Sequence, residues 1–394
     1  MIHLLSLLFA KDVFVFFDGT GNTKESNTNI YKMFNHFPGT VENNTFTGPI
    51  VVTSFIKRQT NAVALYLNGI GTTDSKTLRN VQGLTGTGLE GWVLVAYDFL
   101  VKELTAQDKL RIFGFSRGAA TARILSHYLN DFGISMENLK KERISKTLLD
   151  PSVPSVVGWV PKITFLGIFD SVSSINTLQN VIKVLGANAL RKRSLFSGIS
   201  KAFQSVEDAK LALMAKKLVK YTDVLGNNVE KCSHAVALNE YRVLFNYSAI
   251  DVANPKFNEG YVAGAHGDIG GGFLFDRSNI ALDWMLGQGN LRSFFPKVFR
   301  AGYDPVAAAT QFPIFDSYTE PSPTTQLSKS SQLAVPVFYR SFGNIKSYHS
   351  SAVSLSNFLK VSSNQIARRE TILPVLRLRQ DYISGNTSIA AAQK

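Results

Sequence analysis

Apolar residues along the chain come in short runs that stop at turn-forming residues, and these runs alternate with stretches of helical spacing. Residues 13–17, VFVFF, lead into Asp18-Gly19-Thr20-Gly21-Asn22, and residues 62–67 lead into Asn68-Gly69-Ile70-Gly71. Both runs predict strands buried on two faces, because a half-exposed strand would alternate apolar with polar positions. After the glycine-rich stretch 83–91, residues 92–104 carry helical spacing, 110–113 read as a strand and 119–129 as a helix. Residues 163–169 and 242–247 read as further strands, and the run CSHAVALNEYR at 232–242 reads as helix-like.

Strands separated by helices predict an α/β fold, a mostly parallel sheet with helices on both faces. Residues 176–229 interrupt the rhythm as a helical insertion or cap. From 300 onward the pattern weakens into Pro, Ser and Thr, with short apolar runs at 335–339 and 372–378 and a loose tail. The expected organisation is one domain over 11–300 containing that insertion, with a C-terminal extension over 301–394 packed on it.

Composition narrows the class. With 45% hydrophobic and 18% charged residues, the 394-residue chain has the material for a large core and is not a disordered protein. Its one cysteine, Cys232, forms no internal disulfide. No Lys or Arg precedes the apolar start at residues 2–10, and a strand follows almost at once, so no signal peptide is expected. The net charge of +13 is concentrated: residues 181–220 hold nine basic and two acidic side chains, and Lys140, Lys141, Arg143 and Lys146 form a second group. Such clustering suits an anionic partner, nucleic acid or membrane lipid, or else a solvated helical face.

The candidate chemistry begins at Gly114-Phe115-Ser116-Arg117-Gly118. This G-x-S-x-G pattern, with an apolar strand before it and a small-residue helix after it, is that of a nucleophile elbow. Its glycines are needed where the chain passes close to itself, and the strained turn lifts the serine hydroxyl above the sheet edge. A serine nucleophile needs a base and an orienting acid, which follow in the order Ser, Asp or Glu, His in this fold class. Among His127, His234, His266 and His349, the glycine-rich loop Gly264-Ala265-His266-Gly267-Asp268-Ile269-Gly270 favours His266 as the base. Asp170, ending the run ITFLGIFD, stands at the carboxyl end of a predicted strand and is the favoured acid over Asp268 and Asp18.

Together the stretches FFDGTGNT, YLNGIGT, IFGFSRGAATAR, GIFDSV, HAVALNEYRVLF and GAHGDIGGG resemble the α/β-hydrolase domain of the class 1 type VI secretion lipase effectors, a family of bacterial phospholipases. The likeness spans roughly residues 13–286. It implies a catalytic triad of Ser116, Asp170 and His266 and a phospholipid substrate without metal or other cofactor. It further implies export through a type VI apparatus, a secretion-apparatus partner and an immunity protein, and beside it the basic insertion suits peripheral contact with anionic membranes rather than nucleic acid. Ser171 stands where the family commonly has threonine and Gly267 where it commonly has serine, and the long membrane-associating region that many relatives carry is not expected within these 394 residues.

The loop after the first strand also resembles the D-x-D-G-T of phosphatases, but Phe16 occupies the position of the attacking aspartate. A better role for Asp18-Gly19-Thr20 is to supply an oxyanion-hole N–H from Gly19 or Thr20 beside that of Arg117, since tetrahedral charge needs two donors. The reaction expected is transfer of a fatty-acyl group from a glycerophospholipid to Ser116, then hydrolysis. Esterase or thioesterase action on soluble substrates and a non-catalytic membrane-binding module are the alternatives. In the insertion, Leu211, Met214, Leu218 and Tyr221 share one helical face flanked by Lys210 and Lys217, which suits either an interfacial helix or a cap packed on the sheet.

Overall fold

A computed structural model of the protein describes residues 10–47, 51–72, 89–135, 158–172, 225–242, 245–272, 277–299, 301–312, 314–317, 339–340, 342, 345 and 348–377. The expected insertion with Lys210, Leu211, Met214 and Lys217, the basic group at 140–146 and the tail from 378 onward lie outside them.

An eight-stranded sheet forms the centre, in the order β2-β3-β4-β1-β5-β6-β7-β8. Its strands are β1 (Asp12–Phe17), β2 (Thr40–Thr47), β3 (Val51–Gln59), β4 (Ala62–Leu67), β5 (Lys109–Phe115), β6 (Ile163–Phe169), β7 (Cys232–Ala237) and β8 (Phe257–Val262). From β4 to β8 neighbouring strands run parallel, while β2 and β3 form an antiparallel pair at one edge. This is the α/β architecture that the apolar runs predict.

Strand periodicity divides the core. Val13, Val15 and Phe17 of β1 pack on one face with Val63, Leu65, Leu110 and Ile112, under helices α2 (Leu89–Glu103) and α3 (Arg117–Phe132). Phe14 and Phe16 face the other way, with Tyr66, Phe113 and Phe165, against α1 (Asn29–His36), the short helix α4 (His266–Gly270) and α5 (Ser278–Gln288). Burial on both faces removes the polar alternation of a surface strand, which is why VFVFF is apolar throughout. Beyond α5, the described C-terminal elements include α6 (Pro305–Gln311), β9 (Ile314–Phe315) and α7 (Ser350–Leu359). Ile314, Ala352, Leu355, Ile366 and Ile372 pack with Val236 and Tyr261 of the β7–β8 edge.

Two elements differ from the pattern-based expectation. Residues 232–237 are strand β7 and not helix, with every position buried. A short, fully buried run of small residues carries neither period, so Ala and Ser there look helical while the parallel neighbours β6 and β8 decide the conformation. Residues 242–247 are not a strand among the described residues: Tyr247 makes one antiparallel bridge to Val172, and Phe245 and Tyr247 pack beside the site described below. The edge strands β2 and β3 are an addition that the apolar runs did not reveal.

The chain leaves β1 for β4 on one side and then crosses to β5 on the other. The carboxyl ends of β1 and β5 therefore meet at the point where strand order reverses, where open α/β sheets gather ligands.

Candidate active site

Ser116 occupies the one-residue turn between β5 and α3, at φ 58° and ψ −122°. A non-glycine residue at positive φ is strained, and it is held here because Ser116 N–H donates to the Phe169 carbonyl at 3.0 Å while its own carbonyl accepts from Ala119 at 3.1 Å. The flanking glycines allow the close passage. A Cβ on Gly114 would stand 2.4 Å from the Gly118 carbonyl oxygen, and one on Gly118 would stand 2.3 Å from that of Phe17.

Asp170 follows β6 in a second strained turn, at φ 40°. His266 opens α4 just beyond β8. Three strand ends thus bring together groups separated by up to 150 positions. The His266 Nε2 to Ser116 Oγ distance is 2.8 Å, and that from His266 Nδ1 to Asp170 Oδ2 is 2.6 Å. An ionised carboxylate can only accept, so Nδ1 carries the proton and Nε2 is free to accept from the serine hydroxyl. All three groups are buried, Asp170 completely. The rings of Phe115 and Phe245 lie 4.7 and 5.0 Å from that of His266 and confine it.

Electrostatics suit the same roles. Burial, with Arg242 adding to it, holds the His266 pKa below the ordinary imidazole value despite the opposing pull of Asp170, so the imidazole is neutral at neutral pH. Burial acts to raise the Asp170 pKa, but the Arg340 guanidinium and His266 outweigh it and hold the carboxyl well below the usual range. The competing acids are engaged elsewhere. Asp268 Oδ2 accepts from the backbone N–H groups of Ala265 and Phe315, both at 3.0 Å. Asp18 accepts from Gly19 N–H at 2.7 Å, Thr28 Oγ1 at 2.8 Å and Tyr66 Oη at 2.7 Å. Burial nevertheless pushes its pKa up to about 7, against these three donors.

Of the proposed oxyanion donors, Arg117 is the first residue of α3 and Thr20 lies in the loop after β1, but the Gly19 N–H is given to Asp18. His127 lies within α3, and His349 caps α7 by accepting from Ser351 N–H. His234 is fully buried in β7: its Nε2 accepts from Ser171 N–H at 3.0 Å, directing its Nδ1–H to Glu259 at 3.0 Å. It therefore braces the turn that carries Asp170. Among the described residues no three His, Cys, Asp or Glu are grouped as a metal site requires.

Two further residues border this hydrogen-bonded group. Glu240 accepts from His266 N–H at 3.3 Å and forms a bidentate pair with Arg242. Arg340 grips Asp170 from the C-terminal segment. The sequence offers a hint of Glu240, which lies in the stretch carrying the family resemblance, and none of Arg340.

The family model described as type VI secretion system phospholipase effector, Tle1-like, catalytic domain, matches residues 11–150 and 155–288. The chain belongs to the Tle1-like effector family. Among solved structures, an uncharacterized protein from Pseudomonas aeruginosa is similar at 16% identity over 73% of this chain and 47% of its own, with a TM-score of 0.37. The Tle1 effector bound to the VgrG spike of the type 6 secretion system is similar at 18% identity over 66% of this chain and 51% of its own, with a TM-score of 0.30. The RedJ thioesterase from the prodiginine pathway of Streptomyces coelicolor is similar at 12% identity over 71% of this chain and 87% of its own, with a TM-score of 0.32. This Tle1-like chain spans about half the length of the first two. No curated protein matches it.

Proposed function

We propose that this Tle1-like protein is a serine hydrolase that cleaves fatty-acyl esters of membrane glycerophospholipids. The observation that carries the reading is the continuous hydrogen-bonded line from Ser116 Oγ through both nitrogens of His266 to Asp170, with the serine on a strained turn at a helix N-terminus. The family supplies the substrate class.

In this mechanism His266 Nε2 takes the proton as Ser116 Oγ attacks the ester carbonyl carbon, and Asp170 stabilises the imidazolium formed. The negative charge that develops on the carbonyl oxygen is met by the Arg117 N–H at the start of α3. Thr20 N–H is the second donor, because the Gly19 N–H serves Asp18. Collapse expels the lysolipid alkoxide, which receives the proton from His266. Water, deprotonated by the same imidazole, then attacks the acyl-serine ester, and the fatty acid leaves with Ser116 restored.

The remaining readings rest on the family and the sequence. Catalysis belongs to a domain over 11–300 with the cap at 176–229 and the extension at 301–394. Leu211 and Met214 enter the lipid boundary while Lys210 and Lys217 meet lipid phosphates. Type VI export delivers the protein to a target-cell membrane, with a spike component as carrier and an immunity protein as antagonist. No helix among the described residues is long and apolar enough to cross a membrane.

Mass spectrometry of a defined phospholipid with different chains at its two positions tests the bond cleaved. Free fatty acid with the matching lysophospholipid is expected. Diacylglycerol or a released phosphorylated head group would overturn the reading, as would hydrolysis confined to soluble thioesters.

A further inference from the structure

An orienting acid that is completely buried faces a physical difficulty: burial favours its neutral form, and a neutral acid cannot stabilise an imidazolium. Arg340 answers it. Its Nη1 donates to Asp170 Oδ1 at 2.6 Å and its Nη2 to Oδ2 at 2.9 Å, a bidentate pair with side chains 1% and 0% exposed. The remaining donors are also used: Nη1 reaches the Ala237 carbonyl at 3.0 Å, Nε reaches that of Phe245 at 3.0 Å, and Nη2 bonds the same Phe245 oxygen. Those carbonyls belong to the residue whose N–H donates to Asp170 Oδ1 and to the residue whose ring packs on His266.

We propose that Arg340 is a positioning residue for hydrolysis: it fixes the orienting acid and the wall around the base, so that the C-terminal segment completes the site. The proposal rests on the triad reading above. Arg340 lies beyond both stretches matched by the family model and 170 positions from the acid it holds. It makes a direct contact, whereas the other charges near His266 act differently. Glu240 is committed to Arg242 and the His266 backbone, Arg242 is paired with Glu240, and Asp268 faces the Ala265 and Phe315 amides. Arg340 is therefore the cation that keeps Asp170 ionised, and lysine would preserve the charge while losing the fork.

The full chain carrying Arg340→Gln or Arg340→Lys tests this, through kcat/KM against pH on a monomeric short-chain ester and fluorophosphonate labelling of wild type. Without the cation, Asp170 takes up a proton at higher pH. The acid limb of the Arg340→Gln profile should move up by about one pH unit, and the rate at pH 7 should fall at least about tenfold. Arg340→Lys should keep the limb close to wild type at a reduced kcat. Thermal melting of the single and double variants gives a readout that does not depend on activity: Arg340→Gln should lower Tm strongly beside Asp170 and weakly beside Asp170→Asn. A rate loss equal at every pH, or equal Tm losses in the two backgrounds, overturns the assignment of Arg340 alone. Labelling of wild type at a serine other than Ser116 overturns both this assignment and the triad.

Discussion

Ser116 and Asp170 sit in adjacent strained turns, at φ 58° and φ 40°, tied together where Ser116 N–H donates to the carbonyl of Phe169, the residue before Asp170. Two strained non-glycine residues at neighbouring strand ends imply that surrounding contacts dictate both conformations. The turn of Asp170 is held by its own N–H to Ala235, by Ser171 N–H to His234 and by its carboxylate to Ala237 and Arg340. Asp170 and Ser116 are thus positioned by one connected framework, and His266 enters from a third strand.

Asp170 and Asp268 should behave differently when each is changed to asparagine. Asp170→Asn presents an amide to His266 Nδ1 and should lower kcat by about four orders of magnitude. Asp268→Asn alters acceptors for two backbone amides and should act mainly on stability. Steady-state kinetics on variants with matched circular dichroism decides it, and greater damage from Asp268→Asn would move the acid.

Gly118 should tolerate no side chain. A Cβ there meets the backbone oxygens of Phe17 and Asp18 at 2.3 and 2.4 Å, and neither strand nor helix can yield without displacing Ser116. Gly118→Ala should cost on the order of 3 kcal/mol. Gly302→Ala, at φ 75° with nothing within 4 Å, should cost about 1 kcal/mol from backbone strain alone. Denaturant unfolding of the two variants should preserve that order, and equal losses would contradict the close passage at the elbow.

Asp18 should make stability fall as pH rises. Burial pushes its folded pKa up to about 7, so the folded chain keeps a proton that the unfolded chain, with an ordinary carboxyl pKa of about 4, loses. The contribution is fully present below about pH 4 and is lost as pH rises to 7, with a magnitude on the order of 4 kcal/mol at most. Asp18→Asn lacks this slope, so its stability relative to wild type should improve across that interval. Parallel unfolding profiles for the two proteins would show that Asp18 is already ionised at pH 4.

What could be read from sequence follows from where each constraint lies. The strands β1, β4, β5 and β6 are legible because burial on both faces leaves short apolar runs ending at turn residues. The elbow is legible because its steric demand falls on Gly114 and Gly118, within two residues of the serine. The β2–β3 hairpin is not, because Thr40–Thr47 is mostly polar and its pairing with β3 is a tertiary choice. Strand β7 reads as helix because its alanines are compatible with either element until the sheet claims them. His234 passes for a packing residue for the same reason, since its use as an acceptor for Ser171 exists only once β6 and β7 are paired. Arg340 carries no local mark of its contact with Asp170, because its partners lie in other parts of the chain.

The central claim, that Ser116 is the nucleophile, is tested most directly by peptide-level mass spectrometry after reaction with a fluorophosphonate, run beside a phospholipid hydrolysis assay. Wild type should carry the adduct on Ser116 and release fatty acid. Ser116→Ala should keep the same melting behaviour, lose the adduct and lose hydrolysis by several orders of magnitude. An adduct on another serine, or undiminished fatty-acid release by Ser116→Ala, would contradict the account.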